Sequence, residues 1–209
     1  MPGRFITLEG IDLCGKTTQI EKLASYLQER GMEVVISREP GGPPISEKIR
    51  EILLDPENGA MTALTELLLY EASRSQHTEE LIRPALEAGK WVVSDRYGDA
   101  SFAYQGFGRK LGGELVRRLN RLATSGLVPD LTIVLDLPPE EAARRFKGEG
   151  WKADRLERER ADFHHRVREA YLQLSGEEPE RVKIIDGRGT VESIAVQIRA
   201  VVDRLIERT

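Results

Sequence analysis

A glycine-rich loop near the N-terminus places the strongest constraint on the fold of this chain. Residues 10–17 read Gly-Ile-Asp-Leu-Cys-Gly-Lys-Thr and fit the pattern G-x-x-x-x-G-K-[ST]. An apolar run at residues 5–8 precedes the loop, and the apolar side chains of residues 20–27 follow it at the spacing of an amphipathic helix. A strand, a phosphate-binding loop and a helix in this order are typical of a parallel α/β sheet.

The rest of the chain repeats the alternation of strand and helix. This alternation predicts a single α/β domain over residues 1–209, with three layers in which a five-stranded parallel sheet is flanked by helices. We expect a final helix from the periodicity of residues 194–205 and a short helix capped by Ser46. A longer helical segment runs from about Thr62 into the 80s and is interrupted near Pro84. The predicted strands are residues 5–8, 34–37, 91–94, 131–135 and 182–185.

The loop residues predict binding of a nucleoside triphosphate together with Mg²⁺. Backbone N–H groups of such a loop converge on phosphate oxygens, Lys16 neutralises the β- and γ-phosphates, and the Thr17 hydroxyl can coordinate the metal. Cys14 lies inside the loop, where a helix N-terminus favours a thiolate, but it also fits as a small residue that only fills space. The loop by itself does not identify the acceptor of the phosphoryl group.

Charged residues follow two further predicted strands. Arg38 comes directly after the second strand, and Asp95 and Arg96 come directly after the third. Because ligands of parallel α/β sheets collect beyond the carboxyl ends of the strands, we expect these residues to meet at the edge where the loop lies. A carboxylate there can hold Mg²⁺, and guanidinium groups bind phosphate oxygens in pairs. We therefore expect Asp95 and Thr17 to be metal ligands and both arginines to bind phosphate.

The charge balance and the single cysteine exclude several classes of protein. The chain has 35 acidic and 31 basic residues, a formal net charge of −4, which argues against a long nucleic acid or an anionic membrane as partner. One cysteine excludes an intramolecular disulfide and a multi-cysteine zinc site. No apolar segment approaches the length of a membrane span, and the first residues lack a signal-peptide pattern. We therefore expect a cytoplasmic protein that binds neither nucleic acid nor membrane.

Seven ordered blocks extend the pattern along nearly the whole chain. They are FITLEGID at 5–12, REPGG at 38–42, EASRSQH at 71–77, SDRY at 94–97, SFAYQG at 101–106, PDLT at 129–132 and DRLE at 154–157. In these blocks the chain closely resembles the thymidylate kinases. The resemblance implies the fold of a P-loop kinase, phosphoryl transfer from MgATP to dTMP to give dTDP, and a homodimer. Because the attacking phosphate oxygen of dTMP is already mostly ionised at neutral pH, such a transfer requires no general base.

The resemblance also implies a set of residues for the dTMP site. Asp12 matches an acid near the 3′-hydroxyl of the acceptor sugar, and Tyr70 matches an aromatic ring against the thymine face. Considered alone, Tyr70 and Tyr104 would favour core packing, and only the family blocks favour a role in the site. The other matches are Ser101 and Gln105 at the thymine edge, Tyr104 beside the ribose 2′ position, and Arg38, Arg74 and Arg96 at the acceptor phosphate.

On the ATP side, the resemblance implies binding by the loop and by a basic lid at about residues 144–155. This window has five basic and two acidic residues, a charge of +3, so the rest of the chain carries −7; from composition alone it also fits a solvated charged loop. Leu13 and Cys14 leave the loop without an arginine, so the chain resembles the variant whose lid supplies the positive charge. The catalytic candidates are Lys16, Arg96 and Arg155. The ATP-binding candidates are Gly10, Ile11, Asp12, Leu13, Cys14, Gly15, Lys16, Thr17, Thr18, Lys147 and Lys152.

Two alternatives share the phosphate loop. In a deoxynucleoside kinase, Glu39 could act as the base for a hydroxyl acceptor. A regulatory GTP-binding switch would need a D-x-x-G segment, which the chain has, and a guanine-binding N-K-x-D segment, which it lacks. Pro43, Pro44, Ser73 and Gly98 depart from the common family pattern, and none of them removes a charged group assigned above.

Overall fold

Five parallel strands form one sheet in the computed structural model, which describes residues 3–145 and 154–207. The strands are β1 (Phe5–Glu9), β2 (Val34–Arg38), β3 (Trp91–Asp95), β4 (Leu131–Asp136) and β5 (Val182–Asp186). Their order in the sheet is β2-β3-β1-β4-β5, and every neighbouring pair is parallel. The predicted fold class is confirmed, and each strand extends one residue beyond its predicted end.

Helices connect the strands and cover the sheet. They are α1 (Lys16–Glu29), α2 (Pro44–Leu54), α3 (Ala63–His77), α4 (Arg83–Glu87), α5 (Gly98–Ser101), α6 (Gly113–Ala123), α7 (Pro139–Arg145), α8 (Ala161–Glu177) and α9 (Val191–Glu207). A 3₁₀ turn covers Pro56–Asn58, and π-helical segments cover Thr78–Ile82 and Phe102–Gly108. Within the described residues, no helix combines the length and the apolar composition that a membrane crossing requires.

The helical segment that begins near Thr62 is confirmed, whereas the predicted cap at Ser46 is wrong. Thr62 caps α3 by accepting a hydrogen bond from the Thr65 amide, and Pro84 lies at the start of α4 after the π-helical segment. Helix α2 starts two residues before Ser46, at Pro44, because the fixed φ of proline suits the first helical position and its missing N–H leaves no donor to satisfy. Ser46 lies inside the helix and donates to the carbonyl of Ser73.

The predicted lid lies mostly outside the described residues. Arg144 and Arg145 form the end of α7, and the chain is described again from Asp154. Lys147 and Lys152, two of the predicted ATP-binding residues, belong to the part that is not described.

The central position of β1 places a carboxylate inside the protein. All five residues of β1 are buried, because strands pair with it on both sides and helices cover the sheet. The Glu9 carboxylate accepts hydrogen bonds from the Tyr97 amide at 2.8 Å and from the Tyr171 hydroxyl at 2.7 Å. Burial, with a smaller contribution from the nearby charge of Asp99, raises the pKa of Glu9 to about 8.

We predict that Glu9→Gln removes a pH dependence of stability. Because the pKa of Glu9 is about 8 in the folded protein and 4.5 ordinarily, the folded state holds an extra proton between these values. The free energy of unfolding therefore falls as the pH rises through this window, by up to about 1.4 kcal/mol per pH unit. A glutamine can accept from the Tyr97 amide with its oxygen and donate to the Tyr171 hydroxyl with its nitrogen, and it does not titrate. The variant should therefore gain stability relative to the unmodified protein as the pH rises from 5 to 8. Urea unfolding at four pH values measures the difference, and parallel stability profiles would contradict the prediction.

Candidate active site

The phosphate loop depends on glycine at both ends. Gly10 has φ +129°, and a Cβ at this position would lie 2.6 Å from the carbonyl oxygen of Leu135 on β4. Gly15 has φ +100° and is the residue before α1. Neither backbone conformation suits an L side chain, so the loop can pass this close to the sheet only with glycine at these positions. The N-terminus of α1 consequently points towards the space above the loop, as an anion site requires.

The space beside the loop forms a first pocket, which we call the loop pocket. Lys16 Nζ is held there by the carbonyl of Ile11 at 3.2 Å and lies 3.9 Å from Oδ1 of Asp95. The predicted residues Thr17 and Thr18 are exposed at the start of α1 and also border it. The lining residues are Asp12, Leu13, Gly15, Lys16, Thr17, Thr18, Arg50, Leu54, Asp95, Asp154 and Glu157.

A second pocket, the inner pocket, continues from the loop pocket towards α3 and the Phe102–Gly108 segment. The two pockets share Asp12, Lys16 and Asp95, so the end of one lies against the end of the other. Tyr70 forms part of its wall although only 8% of the residue is exposed. The lining residues are Asp12, Lys16, Arg38, Glu39, Pro40, Arg50, Leu54, Tyr70, Asp95, Arg96, Ala100, Ser101, Tyr104, Gln105, Asp154 and Leu156.

Arg96 lies where the two pockets meet and has a rare backbone conformation. Its backbone φ of +69° is uncommon for any residue other than glycine, asparagine or aspartate. The guanidinium group donates to the carbonyl of Gly10 at 2.7 Å, to Asp12 at 2.5 Å and to the Tyr104 hydroxyl at 3.0 Å. Burial alone would raise the pKa of Asp12, but the charges of Arg96 and Lys16 outweigh it and lower the pKa to about 2. Asp12 is therefore a fixed anion at neutral pH.

Arg74, which the resemblance assigns to the acceptor phosphate, is buried and lines neither pocket. It donates to Glu39 at 2.8 Å and to Glu71 at 2.9 Å. The hydroxyl of Ser101 accepts from its Nη2 at 3.0 Å. A buried guanidinium needs counter-charges, and the two carboxylates supply them beneath the pocket wall.

Arg155, a predicted catalytic residue, contacts groups of α2 and α3. Its guanidinium donates to the carbonyl of Leu53 at 2.9 Å and forms an ion pair with Glu66, and it lines neither pocket. Glu66 is fully buried on α3, so its charge requires a partner of opposite sign. In this structure Arg155 satisfies that requirement and does not reach the phosphate loop.

Cys14 fits the interpretation as a space-filling residue. The thiol is 1% exposed, and a Cβ on Gly10 would lie 3.0 Å from its sulfur. Burial raises the pKa of Cys14 above its usual range, although Lys16 and Arg96 act in the opposite direction. The thiolate expected from the helix N-terminus is therefore not favoured. Gly10, Ile11 and Cys14 shape the loop without lining the loop pocket.

Arg50 is a site residue that the sequence analysis missed. It borders both pockets and is held by a hydrogen bond of 2.7 Å to the carbonyl of Pro40. A signal for it exists in the sequence, because Arg50 is four residues after Ser46 and three before Leu53, which are the two buried positions of α2. A charged residue on the buried face of a helix commonly faces a ligand or a counter-charge.

Arg38 is the most exposed of the three arginines that line the inner pocket. Its guanidinium is 52% exposed and binds Glu47 at 2.9 Å.

Asp154 is a second site residue that the sequence analysis missed. It borders both pockets. Its carboxylate caps the turn that follows by accepting hydrogen bonds from the amides of Leu156 and Glu157.

The oxygen atoms at the loop pocket fit a magnesium ion. Asp95 Oδ1 is buried without a hydrogen-bond partner, and the Thr17 hydroxyl borders the same pocket. A carboxylate and a hydroxyl are ligands that Mg²⁺ prefers when it also binds phosphates. No cluster of three or more histidine, cysteine or acidic residues suited to a metal ion occurs in the described part of the chain, as expected for a metal held largely by its nucleotide.

Comparison with known proteins places the chain in a family. A family model described as thymidylate kinase matches residues 8–198. The chain belongs to the thymidylate kinase family. Thymidylate kinases of Geotalea uraniireducens and Geobacter sulfurreducens are each 51% identical to it; the first match covers 98% of this chain and 99% of the relative, and the second covers 99% and 98%. The solved structure of a thymidylate kinase from Ehrlichia chaffeensis matches with a TM-score of 0.79 and 30% identity, over 97% of this chain and 99% of that one.

Membership confirms the resemblance seen in the sequence. The chain is an ATP:dTMP phosphotransferase, which forms dTDP, and neither alternative is favoured. The geometry of Glu39 agrees, because one of its carboxylate oxygens accepts from Arg74 at 2.8 Å and the other contacts His77 Nδ1 at 2.9 Å. A carboxylate engaged on both sides is poorly placed to act as the base of a deoxynucleoside kinase.

We predict that Arg50→Ala weakens dTMP binding. Loss of a hydrogen bond to a charged group costs about 1.5–3 kcal/mol, so the KM for dTMP should rise by roughly 10- to 100-fold. Lys48→Ala is the matched control, since Lys48 is an exposed cation of α2 that lines neither pocket. Steady-state kinetics with ATP saturating measures both variants, and equal KM values for the two would exclude Arg50 from the acceptor site.

Proposed function

We propose that the inner pocket binds dTMP, that the loop pocket binds the phosphates of ATP, and that the phosphoryl group passes between them where they meet. The observation that carries this proposal is the sharing of Asp12, Lys16 and Asp95 by the two pockets. Two substrates held end to end react faster, because the enzyme has already aligned them and the bimolecular step becomes effectively unimolecular.

The transfer needs positive charge and alignment but no general base. A phosphate monoester has a second pKa near 6, so the attacking oxygen of dTMP is mostly ionised at neutral pH. We assign Lys16 to the β- and γ-phosphates, and Arg96, Arg38 and Arg50 to the acceptor phosphate. These cations stabilise the charge that spreads over the transferred group in the transition state. Closure of the pockets around both substrates would exclude water, which would otherwise compete as acceptor.

We assign Mg²⁺ to Thr17 and Asp95. When bound, the ion would neutralise negative charge on the phosphate oxygens of ATP. Asp95 Oδ1, which has no hydrogen-bond partner among the described residues, is the group best suited to hold the ion or one of its water ligands. Lys16 Nζ, 3.9 Å away, keeps this carboxylate oriented towards the phosphates.

The base of dTMP is assigned to the far end of the inner pocket. Tyr70 offers a ring face to the thymine, and Ser101 and Gln105 offer hydrogen-bonding groups to its edge. We assign Tyr104 to the sugar side of the pocket, and the hydrogen bonds of its hydroxyl with Asp12 and Arg96 support this assignment. Burial raises the pKa of Tyr104 well above its ordinary value, so the hydroxyl stays protonated.

We further propose a cytoplasmic enzyme that acts as a homodimer. Helix α3 packs against both α2 and α6, and each of these three helices exposes two large aliphatic side chains. Large apolar side chains exposed on neighbouring helices are typical of a protein interface. A second copy of the chain is the natural partner, because the surface is apolar on both copies and can match itself. The six residues are Ile45, Ile52, Leu64, Leu68, Leu115 and Leu122.

An acceptor panel tests the proposed assignment of the inner pocket. We expect MgATP to phosphorylate dTMP most efficiently, dUMP less so, and thymidine, dCMP and AMP at least about 100-fold less, because unpaired polar groups in the site disfavour the wrong base. Lys16→Ala should abolish all of these activities. A coupled assay of ADP formation measures the panel, and phosphorylation of thymidine but not of dTMP would overturn the proposal.

We predict that the double variant Leu64→Glu/Leu68→Glu is monomeric. Four charges at a two-fold interface would be buried without partners, which opposes association. Val196→Glu is the control, since Val196 is a comparably exposed aliphatic residue on α9. Sedimentation velocity should give a dimer for the unmodified chain and for the control. A monomeric unmodified chain, or a dimeric double variant, would refute the interface.

A further inference from the structure

We propose that Glu66 is a positioning residue for base selection: it fixes the side-chain amide of Gln105 so that the inner pocket accepts a thymine or uracil edge and rejects a cytosine edge. The proposal rests on the proposed binding of the base at Ser101 and Gln105. It concerns a residue that contacts neither pocket and therefore acts only through Gln105.

Glu66 is a fully buried carboxylate at the centre of a charged cluster behind the pocket wall. Its Oε1 accepts a hydrogen bond from Nε2 of Gln105 at 2.8 Å. Arg109 donates to both carboxylate oxygens at 2.9–3.1 Å, and Arg155 forms a further ion pair with Oε2. Five hydrogen bonds from three side chains leave the carboxylate little freedom to rotate.

The ionisation of Glu66 fixes the orientation of the Gln105 amide. Burial alone would raise the pKa of Glu66, but the hydrogen bonds from Arg109 and Gln105 outweigh it and lower the pKa. An ionised carboxylate can only accept hydrogen bonds, so the atom of Gln105 that contacts it must be the amide nitrogen. The carbonyl oxygen is then the group that Gln105 has left to offer to the pocket that it lines.

Arg74 fixes the direction in which the Ser101 hydroxyl donates its proton. Its guanidinium can only donate, and its Nη2 lies 3.0 Å from the Ser101 oxygen. Because the serine oxygen accepts this hydrogen bond, the hydroxyl proton remains free to donate into the pocket. Glu39 and Glu71 keep Arg74 in place.

The pocket therefore offers a donor from Ser101 and an acceptor from Gln105. Thymine and uracil carry a carbonyl acceptor at position 4 and an N–H donor at position 3, which match this order. Cytosine carries an amino donor at position 4 and a bare nitrogen acceptor at position 3, which reverse it. A reversed edge would set donor against donor and acceptor against acceptor, and a site with buried groups left unpaired rejects a ligand strongly.

The test compares dTMP with 5-methyl-dCMP, which differ only at positions 3 and 4 of the base. The unmodified enzyme should prefer dTMP in kcat/KM by on the order of 10³-fold or more. In Glu66→Gln the new amide can donate to the carbonyl oxygen of Gln105, which frees that side chain to turn its nitrogen towards the base. We expect the preference to fall by at least about tenfold, and Glu66→Asp, which remains an acceptor only, to retain it.

Asp136→Asn is the matched control. It also removes the charge of a largely buried carboxylate that binds an arginine, Arg168, but Asp136 lines neither pocket. The variant's preference for dTMP over 5-methyl-dCMP should equal that of the unmodified enzyme even where its stability falls. An unchanged preference in Glu66→Gln, or an equal fall in Asp136→Asn, would overturn the proposal. Absence of dTMP phosphorylation by the unmodified enzyme would instead refute the proposed function.

A second measurement serves if Glu66→Gln does not fold. The side-chain amide signals of Gln105 can be assigned by NMR from their loss in Gln105→Met. In the unmodified protein we expect these N–H protons to exchange slowly with solvent and to shift little when dTMP binds, because they face Glu66. Rapid exchange, or a large shift on binding of dTMP, would show that the nitrogen faces the base and would overturn the proposal.

Discussion

The packing of arginines against carboxylates beneath the carboxyl edge of the sheet is the interaction on which the active site depends. Arg74 and Arg155 are both more than nine-tenths buried, where an unpaired cation would cost several kcal/mol. Glu39 and Glu66 supply the opposite charges. Because an arginine can only donate and an ionised carboxylate can only accept, each pair also fixes which atom of a neighbouring polar side chain it can contact. The buried charges thereby determine the chemistry that the pocket wall presents.

The arginines of the site divide into two groups according to their contact with the pockets. Arg38 and Arg96 line the inner pocket, and the partner of Arg38 is a half-exposed carboxylate, Glu47, whose ion pair is worth little in water. Such a guanidinium can exchange its partner for a phosphate at small cost. Arg74 and Arg155 lie behind the wall in pairs that would be costly to break. Arginines therefore line the inner pocket in one layer and pair with buried carboxylates in the layer behind it.

Much of the fold and part of the site followed from local pattern. Apolar runs predicted all five strands to within one residue, since a strand covered on both faces has to be apolar throughout. The loop around Lys16 and the position of Asp95 were predictable because the ends of parallel strands meet at one edge. Helix α2 begins at Pro44 and not after a serine cap because the fixed φ of proline suits the first helical position. The position of Arg50 on the buried face of α2 indicates a ligand or a counter-charge but does not show which of the two it faces.

The sequence by itself determined the class of fold, the phosphate loop and the family. These depend on residues close together in the chain, whose spacing alone restricts the backbone and the chemistry. Only the tertiary structure decided which cations reach the pockets and which are neutralised behind them. Arg155 and Glu66 are 89 positions apart, and Arg74 and Glu39 are 35 apart. No local pattern predicts such pairs, because whether a charge is free or neutralised depends on what the fold brings within about 3 Å of it.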